Sequence, residues 1–246
     1  MKTVLITGCS SGFGLAIART FLDRGWQVVA TMRTPREDLL PVSDRLRVVP
    51  LDVTDPASID RAVAAAGAVD VLVNNAGFGA AAPFELTSPA LARELFETNT
   101  LGTMALTQAV LPQFRARQAG VIVNVTSSVT LKAQPLRAMY TASKAAVNAF
   151  TGSMAVELAP FGIRVHLVLP GRSPETRFGD NARREGLEHD AYVGTVRQVL
   201  AGMRDTSGPV THAADVAEAV WCAATDPDSP MRLPAGEDAL AWARAS

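Results

Sequence analysis

The stretch MKTVLITGCSSGFG, residues 1–14, places a short apolar run directly before three glycines. From Gly14 onward the run GLAIARTFL has apolar side chains at helical spacing, so the sequence predicts a strand, a tight turn and a helix in that order. Glycines let a backbone approach a phosphate closely, and the following helix offers free N–H groups and the positive end of its dipole. The stretch therefore predicts a turn that binds the phosphates of a nucleotide.

The same turn also fits a second motif, because residues 8–12, GCSSG, match the G-x-S-x-G of a hydrolase nucleophile elbow. An elbow serine needs neighbouring strands that come earlier in the chain, since one of their loops supplies part of the oxyanion hole. Ser10 follows the first predicted strand. The order of the chain therefore favours the phosphate-binding turn over the hydrolase.

Short apolar runs rich in Val, Ile and Leu alternate with helical patterns along the rest of the chain. Near-continuous apolarity is typical of parallel strands that are buried on both faces. The predicted strands lie at residues 4–6, 28–30, 46–49, 71–73, 121–123 and 165–169, with a short last strand at 232–236. Predicted helices begin at about residues 14, 54, 88 and 140, and the third is broken near Asn99. The α/β alternation predicts a single-domain, Rossmann-type, doubly wound parallel sheet with helices on both faces. Ligands of such sheets bind at the carboxyl ends of the strands.

Residues 172–210 break this alternation, because they are charged, contain glycine and have only weak helical periodicity. We expect one domain over residues 1–246, in which 172–210 form a variable excursion over the substrate site. An ordinary pair of surface helices is the alternative.

Composition restricts the classes of partner. The 246 residues carry 23 basic and 24 acidic side chains, a formal net charge of −1, which gives no electrostatic reason to expect nucleic acid or an anionic membrane. No apolar run is long enough to span a bilayer. The two cysteines form neither a disulfide framework nor a metal site, which suits a reducing cytoplasm, and we expect no metal.

A series of short motifs resembles the short-chain dehydrogenase/reductase family. They are T-G-x-x-x-G-x-G at residues 7–14, L-D-V at 51–53, N-N-A-G at 74–77, N-T-L-G at 99–102, N-V-T-S-S at 124–128, Y-x-x-x-K at 140–144 and P-G at 170–171. They occur in the order that the family has. The resemblance covers the whole chain except residues 172–210, which are variable in this family.

The resemblance implies a catalytic set. Tyr140 and Lys144 are one helical turn apart, so their side chains leave the same face of the predicted helix, and a neighbouring ammonium lowers the pKa of a tyrosine. In the family such a tyrosine exchanges a proton with the substrate oxygen, and such a lysine also holds the nicotinamide ribose. Ser127, which aligns with the family's catalytic serine better than Ser128 does, would orient the same oxygen. Asn99 would hold a water that connects Lys144 to solvent.

The residues after the second predicted strand indicate which nicotinamide nucleotide binds. An acidic residue there would bind the 2′-hydroxyl of NAD, and the sequence ATMRT at 30–34 has none. Arg33 can instead pair with the 2′-phosphate of NADP, and Ser11 can add a hydroxyl contact. A solvated loop arginine is the alternative. The chain thus resembles the NADP-preferring members of the 17β-hydroxysteroid dehydrogenase and carbonyl reductase type, and we expect NADP(H) as cofactor.

The resemblance implies further contacts along the cofactor. Asp52 and Val53 would flank the adenine, and a threonine after Pro170 and Gly171 usually binds the nicotinamide amide. Here Thr176 stands one residue later than the commonest spacing, and Ser173 is the alternative. The expected cofactor-binding residues are Gly8, Ser10, Ser11, Gly12, Phe13, Gly14, Arg33, Asp52, Val53, Asn75, Ala76, Gly77, Tyr140, Lys144, Pro170, Gly171, Ser173 and Thr176.

These residues predict NADPH-dependent reduction of a hydrophobic ketone or aldehyde to an alcohol. One alternative is an NAD(P)-dependent alcohol or hydroxysteroid dehydrogenase that works oxidatively, and another is a non-catalytic NADP-binding regulator. Four residues are candidates to line an apolar substrate pocket: Phe78, Phe84, Met139 and Phe178. The resemblance also implies a homodimer or homotetramer, formed through the helices at about 99–118 and 140–160.

Overall fold

A computed structural model describes residues 1–204 and 207–245. Its centre is a seven-stranded sheet in which every pair is parallel, with the order β3-β2-β1-β4-β6-β7-β9. A separate two-stranded ladder joins β5 to β8. The strands are β1 (Thr3–Ile6), β2 (Gln27–Met32), β3 (Leu46–Pro50), β4 (Val71–Asn74), β5 (Ala80–Ala81), β6 (Gly120–Val125), β7 (Ile163–Pro170), β8 (Arg183–Arg184) and β9 (Arg232–Ala235). The predicted doubly wound Rossmann-type sheet is confirmed.

Helices cover both faces of the sheet. They are α1 (Gly12–Asp23), α2 (Pro56–Ala66), α3 (Pro89–Phe96), α4 (Gly102–Arg117), α5 (Ala138–Leu158), α6 (Val193–Arg204), α7 (Ala213–Thr225) and α8 (Glu237–Arg244). One apolar core lies between the sheet, α1 and α7, and a second lies between the sheet, α2, α4 and α5. Val4 and Ile6 belong to the first core and Leu5 to the second, so β1 is apolar at every position because it is buried on both faces.

The helical break predicted near Asn99 is a π-helical turn over Glu97–Leu101, which joins α3 to α4. Such wide turns inside helices are frequent at functional sites. Within the predicted excursion at 172–210, residues 205 and 206 lie outside the described part of the chain. The rest contains β8, a short 3₁₀ turn at Asp190–Tyr192 and α6.

We searched the described helices for a membrane span, and none combines the length and the apolarity that crossing a bilayer requires.

Candidate active site

The carboxyl ends of the central strands border a cleft of about 1240 Å³. Most of the expected site residues line it: Gly8, Ser10, Ser11, Gly12, Phe13, Arg33, Asp52, Val53, Asn75, Ala76, Gly77, Ser127, Tyr140, Lys144, Pro170, Gly171, Ser173 and Thr176. Gly14 and Asn99 lie behind this surface rather than on it. The sequence motifs are therefore brought together in one cavity although they are spread over more than 160 residues of chain.

Hydrogen bonds to the residues that follow β4 fix the glycine turn. The Thr7 hydroxyl accepts hydrogen bonds from the N–H groups of Asn75 at 2.9 Å and Ala76 at 2.8 Å. The Asn75 side chain donates to the Thr7 carbonyl at 2.9 Å. A Cβ on Gly14 would lie 2.3 Å from the Gly8 carbonyl oxygen, so only a glycine lets α1 approach the turn this closely. Gly8 itself has a φ of +73°, the left-handed region that favours glycine.

Tyr140 and Lys144 extend from one face of α5 beneath the ends of β6 and β7. Burial raises the pKa of Tyr140, whereas a hydrogen bond with Ser127 and the positive charge of Arg137 lower it. Lys144 is buried and donates to the Val125 carbonyl at 3.1 Å. Burial lowers the pKa of Lys144 to about 8. The tyrosine hydroxyl thus has a serine hydroxyl as its partner in a buried site, and burial leaves its pKa raised on balance. The charge that opposes this rise is that of Arg137, so the lowering that the sequence led us to expect from Lys144 is not found.

Asn99 is buried in the π-helical turn, and its side chain fixes the backbone of the neighbouring loop. Its amide donates to the Phe78 carbonyl at 3.0 Å, and its oxygen accepts from the Phe78 N–H at 3.0 Å. The same amide group donates to the Ser143 hydroxyl at 3.1 Å. A Cβ on Gly77 would lie 2.8 Å from the Asn99 oxygen and 3.4 Å from Lys144 Nζ, so Asn99 supports the cleft wall beside the lysine.

The far end of the cleft carries two charged side chains of opposite sign. Hydrogen bonds from the Thr54 backbone and hydroxyl lower the pKa of Asp52, and the positive charge of Arg33 contributes to the same direction. Asp52 is therefore a carboxylate at neutral pH. Arg33 is exposed at the end of β2 and lines the cleft.

In the loop after β7, the hydroxyls of Ser173 and Thr176 have different surroundings. The sequence left these two residues as alternatives for binding the nicotinamide amide. The Thr176 hydroxyl donates to the Ser173 carbonyl at 3.0 Å, and its Cβ would lie 3.5 Å from a Cβ built on Gly12. Thr176 therefore packs over the glycine turn. The Ser173 hydroxyl is buried without a hydrogen-bond partner, and so is that of Thr126. Because both residues line the cleft, a bound ligand can satisfy them.

One wall of the cleft carries two aromatic side chains. Phe78 and Phe178 line it, and the Phe178 ring lies 5.8 Å from the Tyr140 ring, centroid to centroid. The ladder between β5 and β8 supports this wall, because it joins Ala80 to Arg183. The expectation for Phe84 is wrong, since this side chain is 69% exposed and lies outside the lining.

Two residues near this wall lie off the cleft lining. Met139, the fourth aromatic or apolar candidate, packs in a small cluster with Tyr140 rather than on the lining. The carboxylate of Glu185 accepts from the Ser88 N–H at 2.7 Å and from its hydroxyl at 3.0 Å. This contact ties the excursion to the start of α3.

The donor set of the cleft fits a nicotinamide nucleotide. The glycine turn at the start of α1 leaves room for phosphates, and the unsatisfied Ser173 hydroxyl belongs to the loop after β7 that lines the same cavity. Among the described residues, no group of three His, Cys, Asp or Glu side chains has the geometry to hold a metal ion.

Comparison with known proteins identifies the family. A model described as short chain dehydrogenase matches residues 2–185, so the chain belongs to the short-chain dehydrogenase/reductase family. It is 37% identical over 184 residues to 3-ketodihydrosphingosine reductase of Bacteroides thetaiotaomicron. The matched region covers 73% of this chain and 66% of that protein. It is 36% identical over 222 residues to retinol dehydrogenase 8 of Bos taurus, covering 85% and 70%. The chain thus spans about two thirds of the length of these curated relatives.

Solved structures share the fold over nearly the whole chain. A short-chain dehydrogenase from Streptomyces avermitilis has a TM-score of 0.84 and 36% identity, covering 99% of this chain and 91% of its own. The closed form of serine dehydrogenase complexed with NADP+ has a TM-score of 0.82 and 29% identity, covering 96% and 95%. A 3-ketoacyl-(acyl-carrier-protein) reductase from Brucella melitensis complexed with NADH has a TM-score of 0.78 and 29% identity, covering 95% and 96%.

Proposed function

We propose that this oxidoreductase reduces a hydrophobic ketone or aldehyde to an alcohol with NADPH. The observation that carries the proposal is the buried Tyr140, whose hydroxyl is hydrogen-bonded to Ser127. Lys144 follows Tyr140 by one turn of α5. This arrangement has the two parts that carbonyl reduction requires of a protein. It has a hydroxyl acid next to a positive charge, and a second hydroxyl that holds the same substrate oxygen.

The nicotinamide, when bound, supplies the hydride. Ser127 orients the substrate carbonyl by donating a hydrogen bond to its oxygen. Tyr140 donates its proton to that oxygen as negative charge develops on it, and the positive charge of Lys144 stabilises the phenolate that remains. Asn99 keeps the loop at Gly77 and Phe78 in place against Lys144, so we assign it a positioning role as well as the expected part in proton supply.

NADP rather than NAD is the proposed cofactor because Arg33 lines the cleft at the end of β2, where no carboxylate would repel a 2′-phosphate. The serine dehydrogenase neighbour was solved with NADP+, which supports this choice, whereas the Brucella reductase was solved with NADH. For the nicotinamide amide we propose Ser173 as the partner, since its hydroxyl is unsatisfied and that of Thr176 is already used.

Reduction is proposed over oxidation because Arg33 favours NADP over NAD. Cells hold NADP mainly in its reduced form, NADPH, which is the hydride donor. The names of the relatives, a ketone reductase and a retinol dehydrogenase, support a carbonyl or alcohol substrate with apolar parts. We further propose that the chain acts as one cytoplasmic domain with residues 172–210 as its substrate loop, and that it forms a homodimer or homotetramer.

The test is the loss of nicotinamide absorbance when the protein is mixed with NADPH or NADH and a panel of aryl ketones, ketoesters, aldehydes and steroid ketones. Tyr140→Phe should lower the rate by about 1000-fold, the scale of a general acid. Thr225→Val is the control, because this hydroxyl donates to the Trp221 carbonyl at 2.8 Å in α7, outside the cleft lining. Tight NADPH binding without turnover of any carbonyl would instead favour the non-catalytic regulator.

A further inference from the structure

Arg137 lines the cleft immediately before α5, three residues ahead of Tyr140. The Thr141 N–H donates to the Arg137 carbonyl at 2.7 Å, so the helical turn already includes this residue. Residues three apart on a helical turn have Cβ atoms about 5–6 Å apart. The Arg137 guanidinium is half-buried, and its Nη1 donates to the Ala80 carbonyl at 3.4 Å. Its positive charge acts on the Tyr140 hydroxyl, and both residues line the cleft.

The backbone before Arg137 is strained. Leu136 has a φ of +63°, in the left-handed region that residues with a Cβ rarely adopt. Its side chain is buried, and its carbonyl accepts from the Ala82 N–H at 3.0 Å. The surrounding contacts thus hold the turn in a conformation that brings Gln134 and Arg137 to the cleft surface. Strain of this kind is concentrated at ligand sites.

Charged side chains of both signs surround Arg137, and Arg184 is the positive one that acts on it. Burial lowers the pKa of Arg137 and the nearby Arg184 guanidinium lowers it too, whereas the Tyr140 hydroxyl raises it. Arg184 is placed there by the ladder between β8 and β5, and the adjacent Arg183 forms an ion pair with Glu94 at 3.2 Å. Two exposed acidic residues, Glu97 and Asp180, also line the cleft.

We propose that the substrate is a carbonyl compound with an anionic group, a carboxylate, which binds Arg137 while the carbonyl oxygen lies against Tyr140 and Ser127. This inference rests on the proposed reductase function and names the substrate class within it. A guanidinium donates two parallel hydrogen bonds to a carboxylate, which fixes both distance and orientation. Because Arg137 and Tyr140 line the same cleft three residues apart, one substrate can reach both of them with its carboxylate and its carbonyl. Phe78 and Phe178 contact the apolar remainder.

A competing role for Arg137 is to act on Tyr140 alone, since its positive charge lowers the pKa of that tyrosine. The two roles predict different effects of an Arg137 substitution on the turnover of a neutral substrate. An effect on Tyr140 changes the turnover of every carbonyl compound. A carboxylate site changes the preference between an oxo-acid and its uncharged ester, whose reacting carbonyls are alike.

The experiment measures kcat/KM with NADPH for benzoylformate and benzoylpropionate and for their methyl esters, in the wild type, Arg137→Gln and Arg137→Lys. The wild type should prefer at least one acid to its ester. In Arg137→Gln the kcat/KM for the acid divided by that for its ester should fall about 30-fold, the scale of one charged hydrogen-bonded pair. Arg137→Lys should recover part of the ratio. The exposed Arg93→Gln, outside the cleft lining, should leave the ratio unchanged.

Equal losses for acid and ester in Arg137→Gln, or a wild type that prefers both esters, would overturn the carboxylate site and leave the reductase intact. The absence of turnover for all four compounds and for the neutral panel would instead refute the reductase itself. Circular dichroism and the Kd for NADPH of each variant establish that the protein is folded, so a loss of ratio cannot come from unfolding.

Discussion

The carboxylate of Asp238 accepts a hydrogen bond of 2.6 Å from the backbone N–H of Arg172, although the two residues are 66 positions apart in the chain. Its other oxygen accepts from the Thr211 hydroxyl at 2.7 Å, and this hydroxyl in turn accepts from the Gly171 N–H at 2.9 Å. Asp238 is 4% exposed and lies in the first turn of α8, where the helix dipole favours a carboxylate. The start of α8 thus fixes the loop that leads to Ser173.

Replacing Asp238 by alanine should weaken both the fold and the binding of NADPH. The change leaves the half-buried Arg172 N–H without its acceptor, at a cost of about 1–3 kcal/mol. We expect a lower urea midpoint and a Kd for NADPH raised about tenfold, because the loop that carries Ser173 loses its support. Urea unfolding and fluorescence titration measure the two effects.

Asp238→Asn is the matched control for this prediction. An asparagine oxygen can still accept from the Arg172 N–H, and its amide can donate to the Thr211 hydroxyl, which keeps the Ala235 carbonyl as its own acceptor. This variant should retain most of the stability and the affinity. Equal losses in both variants would mean that the negative charge, rather than the hydrogen bonds, holds the loop.

The parallel sheet and the places of its strands could be predicted from the sequence because β1 and its neighbours are buried on both faces and are apolar at nearly every position. The motifs at the strand ends follow the same logic, since each ends a strand that the apolar runs locate. Asp238 and Thr211 could not be found in this way. They meet only through the packing of α8 against the loop after β7, and neither lies in a recognisable motif.

The substrate half of the cleft was also hard to predict. The ladder between Ala80 and Arg183 has two residues per strand, too few for a periodic signal. Phe84 was expected in the pocket and is exposed because the 3₁₀ turn at Phe84–Leu86 directs it outward. Arg137 gave no signal of its own, since an arginine before a helix is unremarkable until the fold brings it beside Tyr140.

The buried Lys144 should destabilise the folded protein at neutral pH. Its pKa is about 8 in the folded chain and 10.5 without burial, so the unfolded chain binds more protons between these values. The penalty is full below pH 8, falls as pH rises, and vanishes above about pH 10.5; it amounts to about 3 kcal/mol. Lys144→Met should therefore be more stable than the wild type at pH 7 and lack activity.

Urea unfolding of both proteins at pH 7 and pH 10 measures this difference. The advantage of Lys144→Met should shrink at the higher pH, where the wild-type lysine is neutral in the folded state. A constant difference between the two pH values would show that packing, and not the buried charge, separates the two proteins.

The close approach at Gly14 should make its replacement by alanine damaging. The new Cβ would lie 2.3 Å from the Gly8 carbonyl oxygen, so α1 would have to move away from the glycine turn. We expect a loss of at least about 2 kcal/mol in the free energy of unfolding and no measurable NADPH binding. Gly194→Ala in α6 is the control, because its Cβ meets nothing within 4 Å and stability should stay the same or rise slightly.

Arg33 should set the preference between the two nucleotides. Replacing it by aspartate removes the proposed partner of the 2′-phosphate and puts a carboxylate in its place, which suits the 2′-hydroxyl of NADH instead. The ratio of kcat/KM for NADPH over NADH should fall by about 100-fold or more, since both the lost ion pair and the new repulsion act in the same direction. Arg36→Gln is the control, because Arg36 is paired with Asp38 at 2.6 Å outside the cleft lining. A ratio that is unchanged in Arg33→Asp would mean that this arginine does not contact the nucleotide, and that NADP preference has to come from the glycine turn.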